Sequence, residues 1–314
     1  MRHGAVLLAG LVAAGLAACA PALAPQGNQA VTPVLADDVF TARDGMRLPL
    51  RHWDAEKPVA VIVALHGMSD YSNAFAMPAR FWAEHGVTTL AFDQRGFGAG
   101  PDPGLWAGSE VMRRDLADAV EAAHDRYPGV PVFALGESMG GAVLLTALAG
   151  PERPRIDGAI LVAPAVWSRA DMPLLYRGAL FLAAHLMPGV ILSNTAASHV
   201  VTIVPSDNVP MLRALARDPL FQKQTRSDAV YGLVNLMDEA RNARPDNPPP
   251  ILFLYGKNDQ VIPAKPTEAV VAALDGHAVV HRYDQGYHML LRDLEGPRVW
   301  QDVLDWIAAT RPGT

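Results

Sequence analysis

A strand–turn–helix stretch, Val130–Leu148, decides the fold; its sequence is VPVFALGESMGGAVLLTAL. Its first part is a short apolar run typical of a strand buried on both faces, and its last part has the composition of a buried helix. Between them stands Gly136-Glu137-Ser138-Met139-Gly140, a G-x-S-x-G pattern. In that pattern a sharp turn holds a serine in an exposed position at the N-terminus of the helix. Ser138 is therefore predicted to be a catalytic nucleophile.

A serine hydroxyl is a weak nucleophile unless a base lies beside it. The chain order that accompanies this motif is Ser, then Asp or Glu, then His. Asp259 follows the apolar run Ile251–Tyr255, and His288 follows the run Ala278–Tyr283. Both residues thus stand in loops after strands, where a parallel sheet presents its functional groups. We predict His288 as the base and Asp259 as the acid that orients it.

Two further residues compete for these roles. His66 ends the apolar run Val59–Leu65 but lies too early in the chain to be the usual base, so it is interpreted as a hydrogen-bonded structural histidine. Asp293, just ahead of the last predicted helix, is an alternative acid, but it is placed less well than Asp259.

Acyl transfer also requires two donors for the oxyanion that develops on the attacked carbonyl. One donor is expected to be the backbone N–H of Met139, the residue after the nucleophile. The other is expected from the loop His66-Gly67-Met68, where Gly67 permits a tight turn that directs the Met68 N–H toward the site.

Strand and helix patterns alternate on both sides of the motif. This alternation predicts an α/β fold, with a mostly parallel sheet and helices on both faces. Eight strands are predicted: Val39–Ala42, Met46–Trp53, Val59–Leu65, Val87–Phe92, Val130–Leu135, Ile156–Val162, Ile251–Tyr255 and Ala278–Tyr283. The first two flank an Asp-Gly pair, which favours a hairpin turn.

The alternation breaks between residues 165 and 250. This block contains apolar helical stretches, Leu174–Met187 and Val230–Ala240, and many prolines. We predict a helical cap over 165–250, inserted into a core formed by 37–164 and 251–314.

The N-terminus has the pattern of a targeting signal. A short positive start precedes an apolar run, Gly4–Ala18, that is too short for a comfortable membrane span. The run closes on Leu16-Ala17-Ala18-Cys19, and Cys19 is the only cysteine. We predict a lipoprotein signal peptide over 1–18, lipidation of Cys19, a flexible tether over 19–36 and a location in the cell envelope. Ala20 after the cysteine favours the outer membrane in a Gram-negative host, and plain secretion or a periplasmic location is the alternative.

Composition excludes several function classes. The chain has 314 residues and a formal net charge of −6, without a block of Lys or Arg. A nucleic-acid partner is therefore not expected. There is no H-E-x-x-H pattern and no cysteine cluster, so we predict neither a metal nor a cofactor. Nothing in the sequence indicates the oligomeric state.

Five segments together resemble one family: His66-Gly67-Met68, 93–98, 136–140, 256–259 and 286–288. They are similar to the monoacylglycerol lipase and lysophospholipase group of α/β-hydrolases, which is also grouped with serine aminopeptidase-like proteins, in a bacterial lipoprotein form. The resemblance implies an α/β-hydrolase fold, a Ser138–Asp259–His288 triad, oxyanion donors at Met68 and Met139, and a cap over an acyl-binding channel. The best-known monoacylglycerol lipases have a second glycine soon after the His-Gly pair. This chain has none there, which favours the bacterial lysophospholipase-like members.

The expected activity is hydrolysis of carboxylic esters of hydrophobic acyl chains through an acyl-enzyme on Ser138. Three alternatives stay open at this point. The first is an acyltransferase, which would use the same triad. The second is a peptidase of the proline iminopeptidase type, which would need an acidic pocket for a free amine. The third is a non-catalytic lipoprotein, which would use the fold only for binding.

Overall fold

A computed structural model describes residues 21–193 and 203–311 of the chain. Its centre is a nine-stranded sheet. The strands of this sheet are β1 (Val34–Leu35), β2 (Val39–Thr41), β3 (Arg47–Trp53), β4 (Ala60–Leu65), β5 (Val87–Phe92), β6 (Val132–Glu137), β7 (Gly158–Val162), β10 (Ile251–Gly256) and β11 (Ala278–Tyr283). Their order in the sheet is β1-β2-β3-β5-β4-β6-β7-β10-β11.

The predicted α/β-hydrolase sheet is confirmed, with one strand more than expected. From β5 to β11 all neighbouring strands pair in parallel, whereas β1, β2 and β3 pair antiparallel. The additional strand is β1, which extends the hairpin that β2 and β3 form. Because β1 has only two residues, hydrophobic periodicity cannot reveal it.

Helices cover both faces of the sheet, and each face has its own core. Alternate side chains of β4 point to opposite faces, as expected for a strand. Val61, Val63 and Leu65 enter one core, and Ala60, Ile62 and Ala64 enter the other. The helices of the core are α1 (Ala76–Glu84), α2 (Ser109–Arg126), α3 (Met139–Ala149), α7 (Ala264–Ala273) and α8 (Gly296–Thr310).

The block between β7 and β10 forms the inserted segment, in which helices alternate with long loops. It contains α4 (Leu174–Leu186), α5 (Val209–Leu215), α6 (Ser227–Asn242) and two short strands, β8 (Ile191–Ser193) and β9 (Gln224–Arg226). The two strands pair antiparallel and were not predicted, because three-residue strands leave no periodic signal. No helix of 21–193 or 203–311 is long and apolar enough to cross a bilayer.

Residues 21–36 differ from the flexible tether expected over 19–36. The Ala24 N–H donates to the Trp106 carbonyl at 2.8 Å, and the Val31 N–H donates to the Arg43 carbonyl at 2.9 Å. Backbone hydrogen bonds connect this segment to the core along its length. We call residues 21–36 the strap. The alanine- and proline-rich sequence of this segment did not indicate that its backbone would bond to residues far along the chain. The predicted signal peptide and Cys19 lie outside the described residues.

Asp44 connects this strap to the core. Both of its carboxylate oxygens accept from the Arg95 guanidinium, at 2.7 and 3.0 Å, and one also accepts from the Gly27 N–H at 2.9 Å. Burial opposes ionisation of Asp44, but the hydrogen bonds from Arg95, Met46 and Gly27 outweigh it and lower the pKa of Asp44 to about 2. Arg95 is thus a structural residue that connects its own loop with the loop that contains Asp44.

Asp44→Asn should make the protein less sensitive to acid. Because the folded pKa of Asp44 lies below its unfolded value, its contribution to stability is present at neutral pH and is lost as pH falls toward the folded pKa. Between about pH 5 and about pH 3 the free energy of unfolding of the native protein should fall by about 0.5 kcal/mol more than that of the variant, after allowance for solvent screening of a partly exposed group. Urea denaturation at the two pH values measures this difference, and equal losses would contradict the assignment.

Candidate active site

Ser138 occupies a strained turn between β6 and α3. Its backbone has φ 53° and ψ −113°, a conformation that residues other than glycine rarely adopt. Two glycines allow this turn, because a Cβ on Gly136 would overlap the Gly140 backbone and a Cβ on Gly140 would overlap the Leu65 carbonyl. The turn places the Ser138 hydroxyl at the carboxyl edge of the sheet.

The three predicted triad residues form one continuous hydrogen-bond chain. The Ser138 hydroxyl lies 2.9 Å from Nε2 of His288. On the other side of the ring, Nδ1 of His288 lies 2.8 Å from a carboxylate oxygen of Asp259. The parallel strands β6, β10 and β11 end at the same edge of the sheet, which is why residues far apart in sequence meet here.

The Asp259 carboxylate is held in place by its own loop. Its second oxygen accepts hydrogen bonds from the N–H groups of Val261 and Ile262, at 2.7 and 2.9 Å. With both oxygens engaged, the carboxylate keeps the His288 ring in the orientation in which Nδ1 is the donor and Nε2 faces Ser138. Such an arrangement can draw the proton from the serine hydroxyl.

The residues predicted to supply the oxyanion donors lie beside the nucleophile. Met139 is the first residue of α3, where a backbone N–H has no acceptor within the helix. The loop that carries Met68 passes next to Ser138, because a Cβ on Gly67 would lie 3.2 Å from the Ser138 Cβ. The donor roles of Met68 and Met139 stay predictions.

His66 has the structural environment that the sequence suggested. Its Nδ1 lies 2.8 Å from the Gly67 carbonyl, and its Nε2 accepts from the Gln94 N–H at 3.0 Å. Burial lowers the pKa of His66, which keeps the ring neutral and suited to these two partners. Both ring nitrogens are therefore engaged in holding two loops together.

Asp293, the alternative acid, has other partners. It accepts from the Ser206 hydroxyl at 2.6 Å and from the Tyr287 N–H at 2.7 Å. These bonds fix the loop that carries His288, so Asp293 supports the site without replacing Asp259.

A buried arginine beneath the site was not found by sequence reasoning. Arg292 lies 2.7 Å from Asp70 and 3.3 Å from Glu137 in its two ion pairs, and all three side chains are buried. Asp70 belongs to the loop after β4, Glu137 precedes the nucleophile, and Arg292 follows His288. One guanidinium thus connects three of the four segments that carry the site, all except the Asp259 loop.

The inserted segment contacts the same loops. The Met289 N–H donates to the Pro205 carbonyl at 2.9 Å, and the Gln222 N–H donates to the Ser69 carbonyl at 2.8 Å. The Tyr71 hydroxyl donates to Asp218 at 2.7 Å. The insertion is therefore fastened around the edge of the sheet at which Ser138 lies.

Comparison with known proteins places this chain in a family. The family described as serine aminopeptidase, S33, matches residues 56–295. The chain belongs to this family. The matched residues include Ser138, Asp259 and His288, so the hydrogen-bond chain lies in the part that the S33 family shares.

Several relatives of this chain are monoacylglycerol lipases. The human monoglyceride lipase is 27% identical over 257 residues, which cover 80% of this chain and 82% of the human protein. The monoacylglycerol lipase of Mycolicibacterium smegmatis is 26% identical over 89% of this chain and 99% of its own. Among solved structures, a soluble variant of the Saccharomyces cerevisiae monoglyceride lipase has a TM-score of 0.73, covers 91% of this chain and 99% of its own, and is 18% identical. That likeness shows that the fold is shared.

Proposed function

We propose that this S33-family chain hydrolyses monoacylglycerol-like esters of hydrophobic acyl chains through an acyl-enzyme on Ser138. The observation that carries the proposal is the unbroken hydrogen-bond chain from the Ser138 hydroxyl through His288 to Asp259. The similarity to monoacylglycerol lipases over most of both chains supports the substrate class.

Acylation follows from the geometry of the three residues. The Ser138 oxygen attacks the ester carbonyl while its proton passes to Nε2 of His288. The N–H groups of Met68 and Met139 stabilise the negative oxygen of the tetrahedral intermediate. When the intermediate collapses, the ester C–O bond breaks, His288 gives its proton to the departing alcohol, and the acyl group stays on Ser138.

Deacylation uses the same groups in reverse. A water molecule attacks the acyl carbonyl and passes a proton to His288. The new intermediate collapses to release the fatty acid, and His288 returns the proton to the Ser138 oxygen. Asp259 stabilises the positive charge of the His288 ring in both steps. If a second alcohol replaces water, the same sequence gives acyl transfer.

The acidic residues that a peptidase would need for a free amine are already paired. Glu137 pairs with Arg292, Asp238 with Arg169, and Glu239 with Arg113. Each of these carboxylates already has a guanidinium partner that would compete with an α-ammonium group. This pairing favours an ester substrate over an aminopeptidase substrate.

The membrane anchor belongs to the same proposal. The sequence Leu16-Ala17-Ala18-Cys19 after an apolar run supports cleavage before Cys19 and its acylation. An envelope-bound hydrolase would work beside its lipid substrates. Mass spectrometry of the protein purified from membranes tests the acylation directly.

A substrate panel tests the proposed activity. The wild-type protein is given monoacylglycerols of increasing chain length, lysophospholipids and aminoacyl p-nitroanilides, with a Ser138→Ala variant as control. We expect kcat/KM to be highest for a medium- or long-chain monoacylglycerol and turnover of the anilides to be negligible. Preference for an anilide would overturn the proposal in favour of a peptidase, and acyl-glycerol or acyl-alcohol products would indicate a transferase.

A further inference from the structure

The loop that carries Met68 makes a tight turn with an unusual backbone conformation at Ser69. The Asp70 N–H donates to the Gly67 carbonyl at 3.3 Å, so Met68 and Ser69 are the two central residues of this turn. Ser69 has φ 70°, whereas φ of Met68 is negative. A turn with positive φ at its third residue has the form of a type II turn, in which glycine is the usual residue at that place. Ser69 therefore adopts a conformation that its own side chain disfavours.

The bond that holds Ser69 comes from the inserted segment. A strained backbone conformation persists only where surrounding contacts fix it. The Gln222 N–H donates to the Ser69 carbonyl at 2.8 Å. The side-chain amide of Gln222 also donates to the Gly96 carbonyl, in the loop after β5. Gln222 thus bonds to two loops of the core at once, and its N–H stays directed at the strained residue.

A side-chain hydrogen bond joins the same two segments. Tyr71, two residues after Ser69, donates its hydroxyl to a carboxylate oxygen of Asp218 at 2.7 Å. Burial and this hydrogen bond raise the pKa of Tyr71 to about 12, so the hydroxyl keeps its proton and remains a donor at neutral pH. The other carboxylate oxygen of Asp218 accepts from the Leu220 N–H at 2.9 Å. The carboxylate is therefore oriented by its own backbone as well as by Tyr71.

These contacts belong to one short stretch, residues 218–222, which we call the clamp. It lies between α5 and β9, and β9 pairs with β8. Helix α6 begins directly after β9 and packs against α3 of the core. The clamp is therefore continuous with a part of the inserted segment that is itself fixed to the core.

We propose that Asp218 and Gln222 are positioning residues for the reaction: the clamp holds Ser69 in its strained conformation and so fixes the Met68 N–H as an oxyanion donor. The inference rests on the donor role given to Met68 under the proposed function. Relaxation of Ser69 to a negative φ would rotate the peptide between Met68 and Ser69, and the donor would lose its fixed place. A donor contributes most to the rate when it is held in place before charge develops. The inserted segment thus influences the chemical step through a loop of the core.

Asp218→Ala is the variant that tests the clamp, and Glu239→Ala is its matched control. The first removes the acceptor of the Tyr71 hydroxyl. The second removes a different contact between the inserted segment and the core, the ion pair with Arg113 of α2. Rates are measured on water-soluble p-nitrophenyl butyrate. An alkyl trifluoromethyl ketone serves as the inhibitor, because its tetrahedral adduct with Ser138 places a negative oxygen where the oxyanion of the reaction forms.

We expect kcat of Asp218→Ala to be about tenfold lower than that of the wild type, with KM within about twofold. The Ki of the ketone should rise in the same proportion as kcat/KM falls, since both depend on the oxyanion donor. Asp218→Asn should recover most of the loss, because an amide can accept from the Leu220 N–H and donate to the Tyr71 oxygen. Glu239→Ala should leave kcat, KM and Ki unchanged.

A second substitution, Ser69→Gly, separates the clamp from a general loss of structure. Glycine adopts a positive φ without strain, so the turn then needs less support from the clamp. In the Ser69→Gly background, Asp218→Ala should lower kcat by less than about threefold. If Asp218→Ala does not fold, Tyr71→Phe removes the same hydrogen bond from the other side and is measured in both backgrounds.

Three results would overturn the clamp: an unchanged kcat in folded Asp218→Ala, a loss confined to KM, or an equal loss of kcat in the Ser69 and Ser69→Gly backgrounds. The proposed function survives each of them as long as the wild type hydrolyses p-nitrophenyl butyrate. Failure of the folded wild type to hydrolyse this ester would instead refute the proposed function, and the clamp with it.

Discussion

Replacement of Ser138 by alanine is expected to lower kcat for ester hydrolysis by about 10⁴- to 10⁶-fold. The hydroxyl at 2.9 Å from His288 is the only group in the hydrogen-bond chain positioned to form the acyl-enzyme. Without this hydroxyl, a water molecule must attack the ester directly, and only substrate binding and the oxyanion donors then accelerate the reaction. Steady-state kinetics on the preferred monoacylglycerol measure the loss.

The control for this variant must show that the fold is intact. Ser109→Ala, at the first residue of α2 and outside the site, removes the same hydroxyl and should retain wild-type kcat. Both variants should unfold at a temperature close to that of the wild type. A folded Ser138→Ala protein that keeps more than about a tenth of the wild-type kcat would contradict the assignment of the nucleophile.

The second large effect is expected at Arg292. Replacing it by leucine leaves the Glu137 and Asp70 carboxylates buried without their cation. Removal of one partner from a buried ion pair typically lowers the free energy of unfolding by about 3–5 kcal/mol. Because the three groups belong to the loops of the nucleophile, the oxyanion donor and the base, we also expect kcat to fall. Urea denaturation at neutral pH measures the change in stability.

The pH dependence of this variant distinguishes the loss of charge pairing from a simple loss of packing. Burial raises the pKa of Glu137, and Arg292 opposes that rise. Without Arg292 the pKa of Glu137 in the folded protein should rise further above its value in the unfolded chain. The variant should therefore become more stable as the pH falls and less stable as the pH rises. The deficit of Arg292→Leu relative to wild type should shrink in mild acid, and Arg292→Leu combined with Glu137→Gln should show a smaller deficit at neutral pH. A deficit that is constant with pH would contradict the electrostatic account.

The sequence was sufficient to predict the sheet and the three residues of the hydrogen-bond chain. Buried parallel strands are continuous apolar runs, and β4, β5, β6 and β10 are buried at every residue. Parallel strands end at the same edge of a sheet. A prediction of a parallel sheet is therefore also a prediction that the loops after β6, β10 and β11 lie at one edge. Local pattern and the order of the three residues along the chain were therefore enough to predict that Ser138, Asp259 and His288 come together.

The features that sequence reasoning missed depend on contacts between distant residues. Arg292 lies 155 positions from Glu137, and no local pattern indicates their pairing. The strap was predicted to be flexible because its alanine and proline content is that of a linker, whereas its hydrogen bonds go to Trp106, Arg43 and Asp44. Leu174 and Leu175 of α4 are exposed, which likewise shows only when the packing of the inserted segment is known, since these leucines resemble those of a core helix.

Covalent labelling is the most direct test of the central claim that Ser138 is the nucleophile of an ester hydrolase. The wild-type protein and Ser138→Ala are incubated with a long-chain fluorophosphonate, and the modified peptide is located by mass spectrometry. The hydrogen-bond chain predicts a phosphonyl group on Ser138 of the wild type, protection by monoacylglycerol, and no adduct on the variant. A folded wild-type protein that fails to react, or a variant that reacts equally well, would contradict the account.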